Sequence, residues 1–159
     1  MTPVEEIAQR LRARGAIIVT AESCTGGWVA QELTAIAGSS AWFDRGFVTY
    51  SNDAKQDMLG VRAETLKKYG AVSEETAREM AQGALARSRG TVALAITGIA
   101  GPSGGTPDKP VGTVCFGWAT KDSPPRAETK RFAGDREAVR RQSVDFSLAG
   151  VLRLLDEAR

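Results

Sequence analysis

The sequence predicts an α/β protein, a three-layer α/β/α sandwich around one mixed sheet of about five strands. Apolar, β-branched runs alternate with amphipathic helical segments through the first two thirds of the chain. The last two apolar runs are separated by a short polar segment, which is typical of a hairpin. The chain has 159 residues, 42% of them hydrophobic, so it can bury one core but is short for two domains. We therefore expect one domain over residues 1–159.

Capping residues predict where the helices begin and end. The segment Thr2-Pro3-Val4-Glu5 has the pattern of a capping box with proline at the first helical position, and Gly15 follows as a stop signal. Gly38 is predicted to end the second helix, and Ser51 and Ser73 precede two others. The predicted helices span residues 3–14, 28–37, 53–59, 64–68, 74–89 and 134–159.

Five apolar, β-rich runs predict the strands, and the spacing between them predicts their directions. The runs are residues 16–20, 46–50, 91–98, 111–120 and 128–133, with residues 121–126 as a turn. Helices separate the first three strands, which are expected to be parallel, and the last two are expected to form a hairpin. Glycine-bearing loops follow Thr20 and Thr97, both at the carboxyl end of a strand. Ligands collect at such ends, so the site is expected there.

Composition excludes several classes of function. The formal net charge is +2, which gives no electrostatic case for nucleic acid, although residues 121–141 hold seven basic against four acidic side chains. That small excess of positive charge suits the binding of a compact anion. There is no histidine and there are only two cysteines, so neither a metal site nor a disulfide framework is expected. No segment has the pattern of a signal peptide or a membrane span, and a cytoplasmic setting is expected.

The stretch TAESCTGGW, at residues 20–28, holds three candidate nucleophiles where a strand turns into a helix. Gly26 and Gly27 permit a sharp turn that leaves backbone N–H groups open to a phosphate or an oxyanion. Ser23 is a candidate nucleophile, or else a helix cap. Cys24 is the rival candidate nucleophile, because the pKa of a thiol at a helix amino terminus is lowered. Otherwise Cys24 is a small buried side chain. Thr25 is expected to be a cap or a ligand contact.

A serine nucleophile needs a base, and a chain without histidine must use another group. A lysine can serve if burial or the positive end of a helix lowers its pKa. Lys55 lies about one turn into the helix that follows Tyr50, and its side chain is expected to point back toward the start of that helix. The alternative is a surface lysine beside an interfacial tyrosine.

A second glycine-rich loop follows the strongest predicted strand. The segment Gly98–Gly105 contains Gly98, Gly101, Gly104 and Gly105, but it matches neither a Walker A loop nor a dinucleotide fingerprint. Such a loop either holds backbone against a ligand or is a flexible connector. In the last helix, Arg136, Arg140 and Arg141 are placed either to bind a phosphate or to be solvated.

Five motifs in this order resemble the CinA C-terminal domain family, across nearly the whole chain. They are TAESCTGG (20–27), GSSAWFDRGFVTYSNDAK (38–55), TGIAGPSGG (97–105), KPVGTV (109–114) and GDREAVRRQ (134–142). The chain is similar to stand-alone members of the family that act as nicotinamide-nucleotide amidohydrolases. It is expected to lack the amino-terminal, metal-dependent domain of the longer members. The activity of that domain is therefore not expected of this chain.

The resemblance implies deamidation of nicotinamide mononucleotide to nicotinic acid mononucleotide and ammonia, in pyridine nucleotide recycling, without a cofactor. It places the nucleophile on Ser23 and its partners on Tyr50 and Lys55. The amides of Cys24–Gly27 would stabilise the oxyanion, while Thr97 and the glycine loop would line the carboxamide end. Arg136 and Arg140 would bind the phosphate. A homodimer is expected on general grounds. The alternatives are a non-catalytic nucleotide- or partner-binding module linked to competence or DNA damage, and an amidohydrolase for another small amide.

Overall fold

The computed structural model describes residues 1–157, in which one five-stranded mixed sheet lies between two layers of helices. The strand order is β2-β1-β3-β4-β5. The first three strands are parallel, and β3, β4 and β5 pair antiparallel. The strands are β1 (Ile18–Glu22), β2 (Phe43–Val48), β3 (Val92–Gly98), β4 (Thr113–Thr120) and β5 (Ser123–Arg131). The helices are α1 (Pro3–Arg14), α2 (Trp28–Thr34), α3 (Asn52–Leu59), α4 (Ala63–Tyr69), α5 (Glu74–Ala86) and α6 (Arg136–Glu157), with a 3-10 turn at Ser39–Ala41.

Alternate residues of the sheet enter two separate cores. On one face, Ile18, Leu94 and Phe116 pack with the apolar sides of α1, α2 and α6. On the other face, small residues such as Ala93 and Ala95 pack against α3, α4 and α5. The period of two along a strand sends neighbouring side chains to opposite faces. The predicted three-layer sandwich is therefore confirmed, as are the parallel first three strands and the terminal hairpin.

Local capping explains where several of these helices begin. Thr2 and Glu5 form the predicted capping box, and Gly15 ends α1 in the left-handed conformation with φ 62°. Ser51 and Ser73 accept hydrogen bonds from backbone N–H groups of α3 and α5, respectively. Asp135, just before α6, accepts from the N–H of Ala138 at 2.9 Å. These interactions satisfy N–H groups that a helix start leaves without a partner.

Several predicted boundaries were wrong. Helix α2 ends at Thr34, not at Gly38, because the chain turns early to bring Trp42 into the core, where it is fully buried. Strands β1 and β2 are shifted by two or three residues from their predicted ranges, and α5 ends three residues early, at Ala86. Strand β5 begins at Ser123 and includes both prolines of the predicted turn, which an edge strand tolerates. The predicted end of the last helix, residues 158–159, lies outside the described residues.

The parallel strands bring three loops to one edge of the sheet. The carboxyl ends of β1, β2 and β3 meet there, followed by residues 23–27, 49–51 and 99–105. These loops contain most of the predicted site residues. Within residues 1–157, none of the helices is both long enough and apolar enough to span a membrane.

Candidate active site

Ser23 lies in a tight turn at the end of β1, between the ends of the two strands that flank β1. Its N–H donates to the carbonyl of Ile96 at 3.0 Å, and its own carbonyl accepts from the N–H of Gly26 at 3.0 Å. Gly26 and Gly27 have φ values of 59° and 104°, which favour glycine. The glycines therefore form the turn that holds Ser23 at the sheet edge, with 7% of the residue exposed.

Lys55 reaches Ser23 from the first turn of α3. Its Nζ donates to Ser23 Oγ at 3.1 Å and to the carbonyl oxygen of Thr49 at 2.9 Å. Thr49 precedes α3, so the side chain points back toward the start of its helix, as predicted. Lys55 is 1% exposed, which excludes the alternative of a surface lysine.

Burial lowers the pKa of Lys55 below its ordinary value of 10.5. The ammonium form loses hydration in this position, and among the described residues no carboxylate forms an ion pair with it. A Cys24 thiolate would raise the pKa of Lys55 again. However, burial raises the pKa of Cys24 to about 12, so that thiol is protonated at neutral pH and gives no such opposition. A buried amine with a lowered pKa beside a serine hydroxyl is the arrangement of a base and a nucleophile.

Cys24 has the environment of a packed side chain rather than of an acidified thiol. It is 6% exposed, belongs to the apolar core on the α6 side of the sheet, and its thiol is free. Desolvation is the largest cause of its raised pKa, and the nearby charge of Arg140 only partly opposes it. Of the two alternatives for Cys24, the structure supports the small buried side chain.

Glu22, the last residue of β1, is a site residue that sequence reasoning missed. It is 1% exposed, and its carboxylate accepts from Thr25 Oγ1 at 2.6 Å, from the N–H of Val29 at 2.9 Å and from the N–H of Ala30 at 3.1 Å. The carboxylate thus caps α2, whose N-cap, Gly27, has no side chain to do so. The only sequence signal was an acidic residue in an otherwise buried strand, before a helix without a capping side chain.

The cap formed by Glu22 limits the oxyanion donors to the turn itself. The predicted donors are the amides of Cys24–Gly27, and the first amides of α2 cannot add to them because those of Val29 and Ala30 bind Glu22. Within the described chain, the N–H groups of Cys24 and Thr25 donate to no backbone carbonyl. The two groups are consecutive in the turn closed by Gly26 and directly follow Ser23.

The structure places Tyr50 with Arg136 and not with Lys55. The residue is 62% exposed, and its hydroxyl accepts from Nη2 of Arg136 at 3.1 Å. Arg136 also donates from Nη1 to the carbonyl of Gly101 at 2.9 Å. This arginine, exposed at the start of α6, therefore links the residue after β2 to the glycine loop after β3.

Arg140, one turn further along α6, binds the backbone of the Ser23 turn. Its Nε donates to the carbonyl of Cys24 at 3.0 Å and its Nη2 to the carbonyl of Thr25 at 3.2 Å. The guanidinium group also lies over the ring of Trp28, 5.3 Å from its centroid. Arg141 lies over the same ring at 4.4 Å and pairs with Glu32. The two predicted phosphate ligands thus have different surroundings.

The glycine loop is shaped by packing against the segment that leads into β4. A Cβ at Gly101, where φ is 88°, would lie 2.5 Å from Val111 Cγ1, and one at Gly105 would lie 2.7 Å from the Val111 nitrogen. Gly98 likewise packs against Val114, while Gly104 lies exposed with φ 96°. These glycines are explained by packing and backbone conformation, whether or not a ligand binds.

The hydroxyl of Thr97 is used within the protein. It donates to the carbonyl of Ala71, in the connection between α4 and α5, at 2.8 Å. The residue is 1% exposed. Thr97 thus holds that connection against the end of β3, which is the strand that precedes the glycine loop.

Comparison with known proteins identifies relatives over nearly the full chain. The model of the CinA C-terminal domain matches residues 2–155. The nicotinamide-nucleotide amidohydrolase PncC of Escherichia coli strain K12 is 58% identical over 144 residues, covering 91% of this chain and 87% of that protein. Its namesake in Pseudomonas putida is 48% identical over 158 residues, covering 97% of this chain and 98% of that protein.

A solved structure agrees with the fold. The crystal structure of the competence damage-inducible protein A of Klebsiella pneumoniae superposes with a TM-score of 0.94 at 42% identity. The match covers 99% of this chain and 97% of that one. The described sandwich is therefore shared with a protein of known structure over nearly its whole length.

Proposed function

The chain belongs to the CinA C-terminal domain family, and from that premise we propose that it hydrolyses the carboxamide of nicotinamide mononucleotide to nicotinic acid mononucleotide and ammonia. It is an amidohydrolase, as its named relatives are, acting on an amide C–N bond. The observation that carries the proposal is the buried contact of 3.1 Å between Lys55 Nζ and Ser23 Oγ. In a chain without histidine, this pair supplies both a nucleophile and a base.

The first half of the reaction forms an acyl-enzyme. Neutral Lys55 accepts the Ser23 proton while Oγ attacks the amide carbon, and the carbonyl electron pair moves onto oxygen. When the intermediate collapses, the C–N bond breaks and the lysine proton passes to the departing nitrogen, so that ammonia leaves. Lys55 is then neutral again, and Ser23 carries the acyl group as an ester.

The second half uses water and the same pair in reverse order. Neutral Lys55 takes a proton from water, whose oxygen attacks the ester carbon. Collapse returns the proton to Ser23 Oγ and releases the carboxylic acid, which ionises. The carbonyl of Thr49, 2.9 Å from Nζ, keeps the amine oriented throughout.

The N–H groups of Cys24 and Thr25 are the proposed donors to the oxyanion. Backbone donors fixed in advance need no reorganisation as charge develops on the substrate oxygen. Each donor of this kind contributes about 3–4 kcal/mol in studied acyl-transfer enzymes. The absence of a carbonyl acceptor for them within residues 1–157 supports this role.

We assign the phosphate of the substrate to Arg136. It is exposed and lies at the same edge of the sheet as Ser23, where the guanidinium group spans two of the three loops. Arginine suits this task because its planar donors match phosphate oxygens. Arg140, the other predicted ligand, is bound to two loop carbonyls, which makes direct phosphate contact the weaker proposal for it.

The carboxamide end of the substrate is proposed to lie between the Ser23 turn and the end of β3. The residues assigned to it share the sheet edge, and they are Cys24, Thr25, Gly26, Gly27, Thr97, Gly98, Gly101, Gly104 and Gly105. The catalytic role proposed for Tyr50 requires its hydroxyl to leave Arg136 for Lys55 or for the leaving amine. Its 62% exposure leaves most of the side chain free of packing that would oppose this rotation.

The purified protein with nicotinamide mononucleotide, assayed for ammonia and for the acid product, tests the proposal. Release of both in equal amounts supports it. Tight binding of the nucleotide without ammonia release would instead identify a non-catalytic binding module, such as one linked to competence or DNA damage. Ammonia release from another small amide, with none from this nucleotide, would identify a different amidohydrolase.

The location, the assembly and the domain organisation of the enzyme are proposed on more general grounds. A cytoplasmic location fits the two free, buried thiols, because disulfides are rare in reducing compartments. A homodimer is the commonest assembly for such a chain, and sedimentation of the purified protein tests it. A single domain over residues 1–159 is consistent with the one sheet that the described residues form.

A further inference from the structure

Arg140 contacts the Ser23 turn from the side opposite to the Thr25 N–H. Its two donors bind the carbonyls of Cys24 and Thr25 at 3.0 and 3.2 Å. The carbonyl of Cys24 and the N–H of Thr25 belong to one peptide unit. This unit is planar and trans, so the two groups point in opposite directions. A guanidinium group that holds the carbonyl therefore also fixes the direction of the Thr25 N–H.

The Thr25 N–H donates to no backbone carbonyl within residues 1–157, and the same holds for the N–H groups of Cys24 and Gly27 beside it. The N–H groups of Ser23, Gly26 and Trp28, in contrast, all donate to carbonyls of the protein. Thr25 itself is completely buried. A buried N–H without a partner is rare in proteins, so its acceptor is expected to come from a ligand.

The charge of Arg140 also strengthens this donor. A cation bound to a peptide carbonyl draws electron density from the linked N–H, so the N–H donates a stronger hydrogen bond. The side chain is fixed by Trp28, whose ring lies 5.3 Å from the guanidinium carbon. The carboxylate of Glu22 holds the other side of the turn through Thr25 Oγ1 at 2.6 Å. The turn is therefore held from both sides by opposite charges.

From this geometry we infer that Arg140 is a positioning residue for the oxyanion site, holding the Cys24–Thr25 peptide so that the Thr25 N–H faces the reacting carbonyl oxygen. The inference rests on the proposed amidohydrolase function and refines it. It gives the two arginines of α6 different tasks: Arg136 binds the phosphate of the ground state, and Arg140 acts through the backbone on the transition state. The first task affects KM and the second affects kcat.

Steady-state kinetics of Arg140→Ala with nicotinamide mononucleotide tests the inference. Loss of one oxyanion donor costs about 10²–10³ in kcat in a studied enzyme, and Arg140 acts indirectly, so we expect kcat to fall roughly 10- to 100-fold. KM is expected to stay within about threefold of the wild-type value, because no substrate contact is lost. Arg141→Ala is the matched control, since Arg141 stacks on the same ring and binds Glu32, and it should change neither constant.

Two further measurements separate positioning from a general loss of structure. Added ethylguanidinium should restore part of the kcat of Arg140→Ala and have no effect on Arg141→Ala. Arg140→Lys keeps the charge but only one donor group, and it should show a smaller fall in kcat, again at unchanged KM. This second variant also covers the case in which Arg140→Ala does not fold.

The outcomes that overturn the inference differ from those that overturn the function. A raised KM at unchanged kcat in Arg140→Ala or Arg140→Lys would make Arg140 a substrate ligand. Unchanged constants, or a fall in kcat that ethylguanidinium does not reverse, would exclude the positioning role while the wild-type enzyme remains an amidohydrolase. A wild-type protein that releases no ammonia would contradict the proposed function and, with it, this inference.

Discussion

Lys55 Nζ lies 3.1 Å from Ser23 Oγ, although 32 residues separate the two along the chain. The contact follows from the fold, because β1 and β2 are parallel neighbours whose carboxyl ends meet. Ser23 lies in the turn after β1 and Lys55 in the first turn of the helix after β2. The buried amine and the hydroxyl form a pair that needs no imidazole.

Removing either member of the pair should abolish most of the activity. Ser23→Ala and Lys55→Ala are each expected to lower kcat for ammonia release by about 10³-fold or more, because a nucleophile and its base act as a unit. For the same reason, the double variant should be little worse than either single one. Cys24→Ala, which removes a neighbouring buried thiol, should retain activity within about tenfold. An active Ser23→Ala beside an inactive Cys24→Ala would assign the nucleophile to the thiol.

The burial of Lys55 should make stability depend on pH. Between its lowered pKa in the folded state and its ordinary pKa of 10.5, the unfolded chain binds a proton that the folded chain does not. Stability therefore rises with pH in this window, and at lower pH the full cost of burying the charge applies. Relative to Lys55→Met, the wild type should gain stability as the pH rises from the lowered pKa of Lys55 toward 10.5, as measured by urea unfolding. A difference in the free energy of unfolding between wild type and Lys55→Met that does not change with pH would contradict the lowered pKa of Lys55.

The carboxylate of Glu22 should stabilise the fold as well as the turn. Glu22→Gln keeps the shape but replaces one acceptor oxygen with a donor group, so one of the bound N–H groups loses its partner. An unsatisfied buried group costs about 1–3 kcal/mol, which denaturant unfolding measures directly. Glu32→Gln changes a partly exposed carboxylate of α2 and is expected to stay within about 0.5 kcal/mol of the wild type. Equal effects of the two changes would argue against a special role for Glu22.

Loss of Arg136 should weaken substrate binding more than it slows the reaction. A hydrogen bond to a charged group is worth about 1.5–3 kcal/mol, so Arg136→Gln is expected to raise KM roughly 10- to 150-fold. The nucleoside, which lacks the phosphate, should bind wild type and variant equally. Inhibition of the two proteins by the acid products of the nucleotide and of the nucleoside can show this difference. An unchanged KM for the nucleotide would move the phosphate to another site.

The parts of this site that rest on local rules could be predicted from the sequence. The turn at Gly26-Gly27, the cap at Ser51 and the direction of Lys55 all depend on residues a few positions apart, and the structure agrees with each. The absence of histidine then limited the choice of base.

Contacts between distant residues could not be predicted in this way. Arg140 binds a carbonyl 116 positions away, and Tyr50 binds an arginine 86 positions away. No pattern of hydrophobic period or capping specifies these pairs, because they are set by how α6 packs across the sheet edge. Glu22 was missed for a related reason, since its carboxylate caps a helix from a strand rather than from the N-cap position.

The most direct test of the central claim is an NMR titration of the Lys55 side chain in the folded enzyme, followed through a ¹³C label at Cε and assigned with Lys55→Met. The account predicts that the amine titrates below 10.5 and that kcat/KM for ammonia release rises with pH over the same interval. An amine that titrates at or above 10.5, in an enzyme already fully active at neutral pH, would contradict activation of Ser23 by a neutral lysine.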